Sequence, residues 1–244
     1  MFGRLFGSQH VGRRWLPFSL WPLQTPSLAK YNRRLMRIDR AGWPFVSVPV
    51  VLAAVAWAVG GAWPAALFAA VAAFMLFFFR DPSRTVPTGT GLVVAPADGK
   101  VMVAGPASGA GTPPGTWTQV SIFLSPLDVH INRIPIDGDV TRVEYTPGRF
   151  LAAYRWEAAI QNEKNEVWID HAGEQVVCRQ VVGVLARRLV CRVGVGARVR
   201  TGDRFGLMKF GSRIDLFLPG HVSLNVRVGD RLRGGETVVA TWHS

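Results

Sequence analysis

From Phe45 to Phe79 the chain runs for 35 residues without an acidic or basic side chain. A single helix of that length would be about 52 Å long, against a bilayer hydrocarbon core of about 30 Å. Gly60-Gly61, with Pro64 just beyond, is the natural break, and it leaves apolar pieces over 45–59 and 62–79. Arg37 and Arg40 precede the stretch, and Arg80 and Arg84 follow it. The excess of cytoplasmic Lys and Arg in membrane proteins then puts both ends on the cytoplasmic face, as a two-pass or re-entrant hairpin. A cleaved signal peptide is disfavoured, because its apolar core would start much nearer the N-terminus. The competing reading is a hairpin buried in the core of a soluble protein.

Charge divides the 244 residues into three parts. Residues 1–43 carry eight basic side chains and one acid, Asp39, while 44–79 carry none, and 80–244 hold 20 basic and 15 acidic residues. The net charge of +12 coexists with 49% hydrophobic residues and a mean hydropathy of +0.20. Disorder is thereby excluded, and a plain nucleic-acid binder is disfavoured. A basic and apolar chain suits an anionic membrane surface, where acidic lipids attract Lys and Arg. Within 1–43, Ser27 caps a predicted helix from Leu28 to about Asp39, with Leu28, Tyr31, Leu35 and Ile38 on one face and basic residues off it. Such a helix lies in the lipid interface or packs on the following domain. Cys178 and Cys191, the only cysteines, exclude a disulfide scaffold and a multi-Cys zinc site, and they read as reduced core residues.

Beyond Arg80 the pattern changes to short strands punctuated by Gly and Pro, predicted over 91–96, 100–105, 117–125, 139–145, 175–185, 189–195, 213–219 and 222–228. One helix is predicted over about 149–161. Two similar stretches, 193–203 and 226–235, each place Gly-Asp beside strand residues, as in hairpins that turn through a positive-φ glycine. The fold class is therefore mostly β with a few helices, a barrel-sandwich-like catalytic domain over 80–244 preceded by a helical membrane-attachment segment.

Three segments carry residues suited to chemistry. Ser212 follows Gly211 between two strand patterns, with Ile214, Leu216 and Leu218 alternating behind it. A glycine leaves the preceding carbonyl open and permits a strained turn, which an internal serine needs to attack that carbonyl. An ordinary turn is the alternative, since Phe6-Gly7-Ser8 repeats the tripeptide without that context. In the second segment, Asp128, His130 and Asn132 share one face of a strand, and a histidine beside a carboxylate is a proton carrier near neutral pH. It reads equally as a structural histidine. In the third, Asp98 precedes Gly99, where Asp-Gly is also a plain turn signal.

The strings APADGKV (95–101), SPLDVHINRIP (125–135), NEKNEV (162–167), GVLARRLVC (183–191) and GLMKFGSRIDLFLP (206–219), with FFFRDPSR (77–84), together resemble the short bacterial form of phosphatidylserine decarboxylase. The resemblance covers roughly residues 40–242 in order. It implies a proenzyme in which Ser212 Oγ attacks the Gly211 carbonyl, β-elimination separates a 211-residue chain from a 33-residue chain, and Ser212 becomes a pyruvoyl group. That covalent cofactor would form a Schiff base with the serine headgroup of phosphatidylserine and accept the electrons left by CO₂, giving phosphatidylethanolamine. By the same resemblance Ser212 is the pyruvoyl precursor, His130 the proton donor, and Asp98 and Asp128 orient or tune it. Larger family members carry a second histidine three residues after the first, where this chain has Arg133, which cannot act as a base. His130 then serves both steps, or His221 assists, and Arg133 is a candidate contact for the lipid phosphate. Asn162, Glu163 and Asn165 match a family motif without a derivable role. The implied partners are an anionic membrane holding phosphatidylserine at the cytoplasmic face of the cell membrane, and the two cleaved chains as a heterodimer. A higher oligomer is left open, and neither nucleic acid nor metal is called for. The alternatives are a membrane-tethered biotinyl or lipoyl carrier modified at Lys209, and a non-enzymatic membrane-surface scaffold.

Overall fold

The computed structural model describes residues 37–109, 111–184, 189–209 and 211–242. The chain falls into two units, Met1–Arg34 and Leu35–Ser244, and the described residues all belong to the second. Most of the predicted helix from Leu28 lies outside the described residues. Its last part is not helical: Arg37–Ile38 is a short strand paired with Arg80–Asp81, and Asp39 caps a 3-10 turn by accepting from the Ala41 N–H.

The charge-free stretch forms two helices, α1 (Trp43–Gly60) and α2 (Ala62–Phe78). Pro44 starts α1, where a missing N–H costs nothing. Gly61 separates the two at φ +82°, a left-handed conformation that a side chain would resist. The pair is apolar all round and exposes Val48, Val51, Trp57, Val59, Trp63 and Leu67, the pattern of a segment whose solvent is not water. Residues Arg40–Gly60 are long and apolar enough to cross a membrane, at a mean hydropathy of 1.8 with 22% of the span buried.

The foot of this hairpin is joined to the domain that follows. Ile38, Ala41, Met75, Phe78 and Phe79 pack with Val129, Ile131, Val190 and Leu207 in a small core of their own. A Cβ at Gly42 would lie 2.4 Å from the Phe79 ring, so only glycine permits this approach. Asp39 adds a two-pronged ion pair to Arg192 at 2.6 and 2.8 Å.

The domain itself is mostly strand. An eight-stranded antiparallel sheet has the order Arg198–Val199, Gly138–Thr146, Lys164–His171, Glu174–Val181, Ser212–Pro219, Trp117–Leu124, Gly99–Pro106, Arg231–Leu232. It curls around the main core, to which Ile214, Leu216 and Leu218 contribute with Val120, Ile122, Leu124, Val176 and Cys178. Two three-stranded sheets complete the domain: Leu189–Cys191, Arg204–Met208, Ile131–Arg133, and Ser223–Leu224, Val238–Thr241, Leu92–Val94.

Three expectations need correction. The predicted helix over 149–161 is helical only at Ala158–Gln161, and the remainder is a loop. The two Gly-Asp stretches do turn at Gly202 and Gly229 with positive φ, closed by Asp203 and Asp230 side chains on the Arg200 and Arg227 N–H groups. They are not hairpins, because Arg198–Val199 pairs with Gly138–Thr146 while Arg204–Met208 belongs to another sheet. Finally, Lys164–His171 and Arg204–Met208 are strands that charge within the segment disguised.

Candidate active site

Ser212 is the first residue of the central strand of the large sheet, paired in register with Leu124. Alternation turns its side chain to the core face with Ile214. The residue is fully buried, and its Oγ has no hydrogen-bond partner among the described residues. A buried hydroxyl left unpaired costs about 1–3 kcal/mol, so this one is held uncommitted at the expense of stability. Gly211 before it sits at φ +70°, with open space where a Cβ would stand. It is therefore glycine for its backbone angle and not for lack of room.

Gly183 is the converse case. Its φ is ordinary, but a Cβ there would lie 2.1 Å from the Gly211 carbonyl oxygen and 3.1 Å from its carbon. The glycine of the GVLARRLVC segment thus lies against the carbonyl that Ser212 would attack. Nothing in the local sequence signals this approach, which spans 28 positions.

His130 reaches the same residue through the preceding peptide. Its Nε2 lies 3.4 Å from the Gly211 nitrogen, and its Nδ1 lies 3.0 Å from the Asp128 carbonyl. A carbonyl can only accept, so Nδ1 carries the proton and the Nε2 lone pair faces the Gly211 N–H. Burial is the main cause that pulls the imidazole down to about 4, against the opposing influence of Asp128. Part of that burial comes from Phe78, the last residue of α2, whose ring centroid lies 4.2 Å from that of His130. The site therefore holds a neutral histidine at pH 7, sealed by the foot of the apolar hairpin.

The remaining sequence candidates are placed elsewhere. Asp128 orients His130 through its backbone carbonyl, while its carboxylate accepts from the Ser125 N–H at 2.8 Å. Asp98 does not touch His130. It accepts from Arg84 through both oxygens at 2.9 and 2.6 Å and from the Gly234 N–H at 2.7 Å. Burial pushes its carboxyl above the usual range, against the pull of Arg84. Adjacent Gly99 starts the strand next to Trp117–Leu124, so Asp98 stands two strands from Ser212, roughly 10 Å at ordinary strand spacing. Arg133 is buried, with its guanidinium donating to the Gly202 carbonyl at 3.0 Å, the Pro82 carbonyl at 3.0 Å and Asp81 at 3.4 Å. A guanidinium committed in this way ties the hairpin exit to the domain and is not free to receive a lipid phosphate. His221 lies past the far end of the Ser212 strand, about 25 Å away by strand rise, and pairs with Glu174 at 3.4 Å. Lys209 is half-buried with its ammonium 4.6 Å from the Phe45 ring of α1, unlike the exposed hairpin-tip lysine that a carrier domain presents.

Sequence reasoning missed a buried amide chain beside the site. Asn165 donates to Gln180 at 3.2 Å, and Gln180 donates to Asn132 Oδ1 at 2.8 Å, leaving Asn132 Nδ2 without a partner among the described residues. Gln180 stands opposite Ile214, so this chain shares the face of Ser212. A cavity of about 280 Å³ opens instead on the reverse face of the strand, where Arg213 and Arg179 line it and Ser212 does not.

The sequence model of the family described as "Phosphatidylserine decarboxylase" matches residues 71–240. The chain belongs to the phosphatidylserine decarboxylase family. Among its relatives, a "Phosphatidylserine decarboxylase proenzyme" of Pelodictyon phaeoclathratiforme is 46% identical over 171 residues, 69% of this chain and 79% of that protein. The proteins of the same name in Symbiobacterium thermophilum and Nitrosomonas europaea are 45% and 39% identical over 207 residues each, covering 83% and 84% of this chain and 94% and 95% of theirs. Ser212, Gly211 and His130 are the residues this geometry brings together, and with the family shown the carrier reading at Lys209 is set aside.

Proposed function

We propose that this chain is a self-processing phosphatidylserine decarboxylase, cleaved between Gly211 and Ser212, and that the mature enzyme converts phosphatidylserine to phosphatidylethanolamine. The observation that carries the reading is the buried Ser212 Oγ, unpartnered among the described residues and adjoining a glycine whose carbonyl and N–H are contacted by Gly183 and His130. Oγ adds to the Gly211 carbonyl carbon and the C–N bond breaks, leaving an ester and a free Ser212 amine. Loss of the Cα proton then expels the Gly211 carboxylate, and the resulting dehydroalanine takes up water and releases ammonia to leave a pyruvoyl terminus. His130, neutral and with its Nε2 lone pair on the Gly211 N–H, is the candidate base, and it takes the Ser212 proton by exchanging that hydrogen bond for the hydroxyl.

The pyruvoyl ketone supplies an electron sink for the loss of CO₂ once it has condensed with the substrate amine. The residues present fit that group, since its only source is the buried serine. His130 holds a proton position beside it, and Phe78 excludes water from the imidazole. The C-terminal chain remains in place after cleavage for a topological reason. Its first strand, Ser212–Pro219, is hydrogen-bonded on both sides to strands of the N-terminal chain, and Val238–Thr241 pairs with Leu92–Val94. The product is accordingly a heterodimer held as one domain.

The substrate stays in a bilayer, and the apolar hairpin holds the domain there with its basic flanks toward the cytoplasm and anionic lipid. The test is intact-mass analysis together with ¹⁴CO₂ release from carboxyl-labelled phosphatidylserine. A 33-residue pyruvoyl fragment and CO₂ release, both lost in Ser212→Ala, are expected. Processing without CO₂ release would refute the assigned substrate.

A further inference from the structure

Residues 149–162 form a closed lobe beside the site. Its base is pinned where the Arg149 N–H donates to the Gln161 carbonyl at 2.7 Å and the Glu163 N–H donates to the Arg149 carbonyl at 3.0 Å. Asn162, 1% exposed, clasps Leu151 with both ends of its amide, accepting at 2.9 Å and donating at 2.8 Å, and donates also to the Val182 carbonyl at 2.8 Å. Compact loops tied at the base in this manner are frequently functional. The lobe also gives the first residue of the NEKNEV segment a role, as its clasp.

The pinned lobe presents apolar rings outward. Phe150, Tyr154 and Trp156 are 39%, 61% and 72% exposed, and Arg149 and Arg155 stand exposed among them. Large aromatic rings interleaved with arginine are the composition that settles at the boundary between lipid headgroups and acyl chains. The location agrees with this chemistry. A Cβ at Gly183, which abuts the Gly211 carbonyl, would lie 3.3 Å from the Ala153 Cβ of the lobe. Tyr154 meets Phe123 edge to face at 6.1 Å, and Phe123 is the register partner of Arg213. His130, whose Nε2 accepts from the Gly211 N–H, stacks on the foot of the apolar hairpin. Ala153 of the lobe thus stands at Gly183 beside the Gly211 carbonyl, while Tyr154 and Trp156 line the cavity on the reverse face of the strand with Arg213.

We propose that the 149–160 lobe is a second lipid contact: Phe150, Tyr154 and Trp156 seat in the headgroup boundary of an anionic bilayer, with Arg149 and Arg155 on lipid phosphates, and so set the height at which a lipid headgroup meets residue 212. The proposal rests on the reading of the substrate as a membrane lipid. It commits to a bilayer surface and not to a second copy of the chain.

Two measurements on the full-length protein test it. First, a fluorophore on Trp156→Cys, in a Cys191→Ser background, is followed after reconstitution in vesicles of phosphatidylglycerol and phosphatidylcholine. Position 156 is exposed enough that the label leaves the fold alone. At least twofold quenching by a nitroxide placed at the headgroup boundary is expected, and quenching by an aqueous quencher alone would overturn the proposal. Second, Phe150→Ser/Trp156→Ser is expected to raise KM for vesicle-borne phosphatidylserine at least fivefold, with turnover of monomeric short-chain phosphatidylserine unchanged. An unchanged KM on vesicles, an equal loss on both substrates, or dissociation of an oligomer by the substitutions would each overturn it. If the wild type turns over neither substrate, the decarboxylase reading fails, while the quenching result still decides whether the lobe meets lipid.

Discussion

Replacing Gly183 by alanine isolates the contact that holds the scissile carbonyl. The added Cβ would stand 2.1 Å from the Gly211 oxygen and 3.1 Å from its carbon, against an ordinary contact of about 3.5 Å. One of the two backbones must therefore retreat by about 1 Å or more. A displacement of about 1 Å between reacting groups costs on the order of 10²-fold in rate, equivalent to about 2.7 kcal/mol in the barrier. Gly183→Ala is accordingly expected to slow self-cleavage about 100-fold, read as the decay of the full-length mass after purification. Gly194→Ala is the matched control, since its φ is ordinary and nothing lies within 4 Å of the added Cβ. It should process at the wild-type rate. The two variants are compared at matched folded fraction, from thermal unfolding in a Ser212→Ala background. Wild-type processing of Gly183→Ala would refute the idea that this close approach fixes the carbonyl for attack.

Other outcomes follow from the same geometry. Because His130 titrates near 4, cleavage that uses its neutral form should be independent of pH from about 6 to 8 and fall only as pH drops toward 4, which a processing-rate profile checks. The same shift from the ordinary histidine value of about 6.5 gives stability that is fully present above pH 6.5 and is lost as pH falls to 4, about 3 kcal/mol for a fully buried group, readable in urea titrations of Ser212→Ala. Phe78→Ala should destabilise by about 3–5 kcal/mol and raise the His130 pKa toward its free value, measurable by NMR titration of the imidazole. Arg133→Ala should cost about 1–3 kcal/mol by leaving the Gly202 and Pro82 carbonyls without their donor, since Asp81 keeps Arg204 at 2.6 Å, while KM for phosphatidylserine in the folded fraction stays unchanged. A large rise in KM with intact stability would return Arg133 to the substrate.

Much of the architecture was legible because it depends on local pattern. A charge-free stretch with Gly60-Gly61 at its middle has few alternatives to a helical hairpin, and alternating Ile214, Leu216 and Leu218 mark a strand, although its other face, with Arg213, Asp215 and Phe217, is buried too. Lys164–His171 escaped notice because Glu166 is buried against Arg179 rather than solvated, so its alternation is hidden by charge. The loop over 150–157 mimicked a helix because its closure depends on Asn162 amide bonds that no periodicity reveals. Within the candidate site, residue type and context singled out Ser212 and His130, and the fold brings His130 to the glycine before Ser212. Residue type did not reveal that Asp98 is held in an ion pair with Arg84 and Arg133 by backbone carbonyls. What sets the behaviour of the site comes from far along the chain: Phe78 arrives from 52 positions before His130, and Gly183 from 28 before Gly211. Such tertiary approaches leave no local trace.

The central claim is that Ser212 is consumed in making the enzyme. Intact-mass measurement of the purified, active protein tests it directly. The account predicts a 211-residue chain and a 33-residue chain whose first residue is pyruvoyl, and a single 244-residue species for Ser212→Ala. An active preparation that consists of one uncleaved 244-residue chain would contradict it.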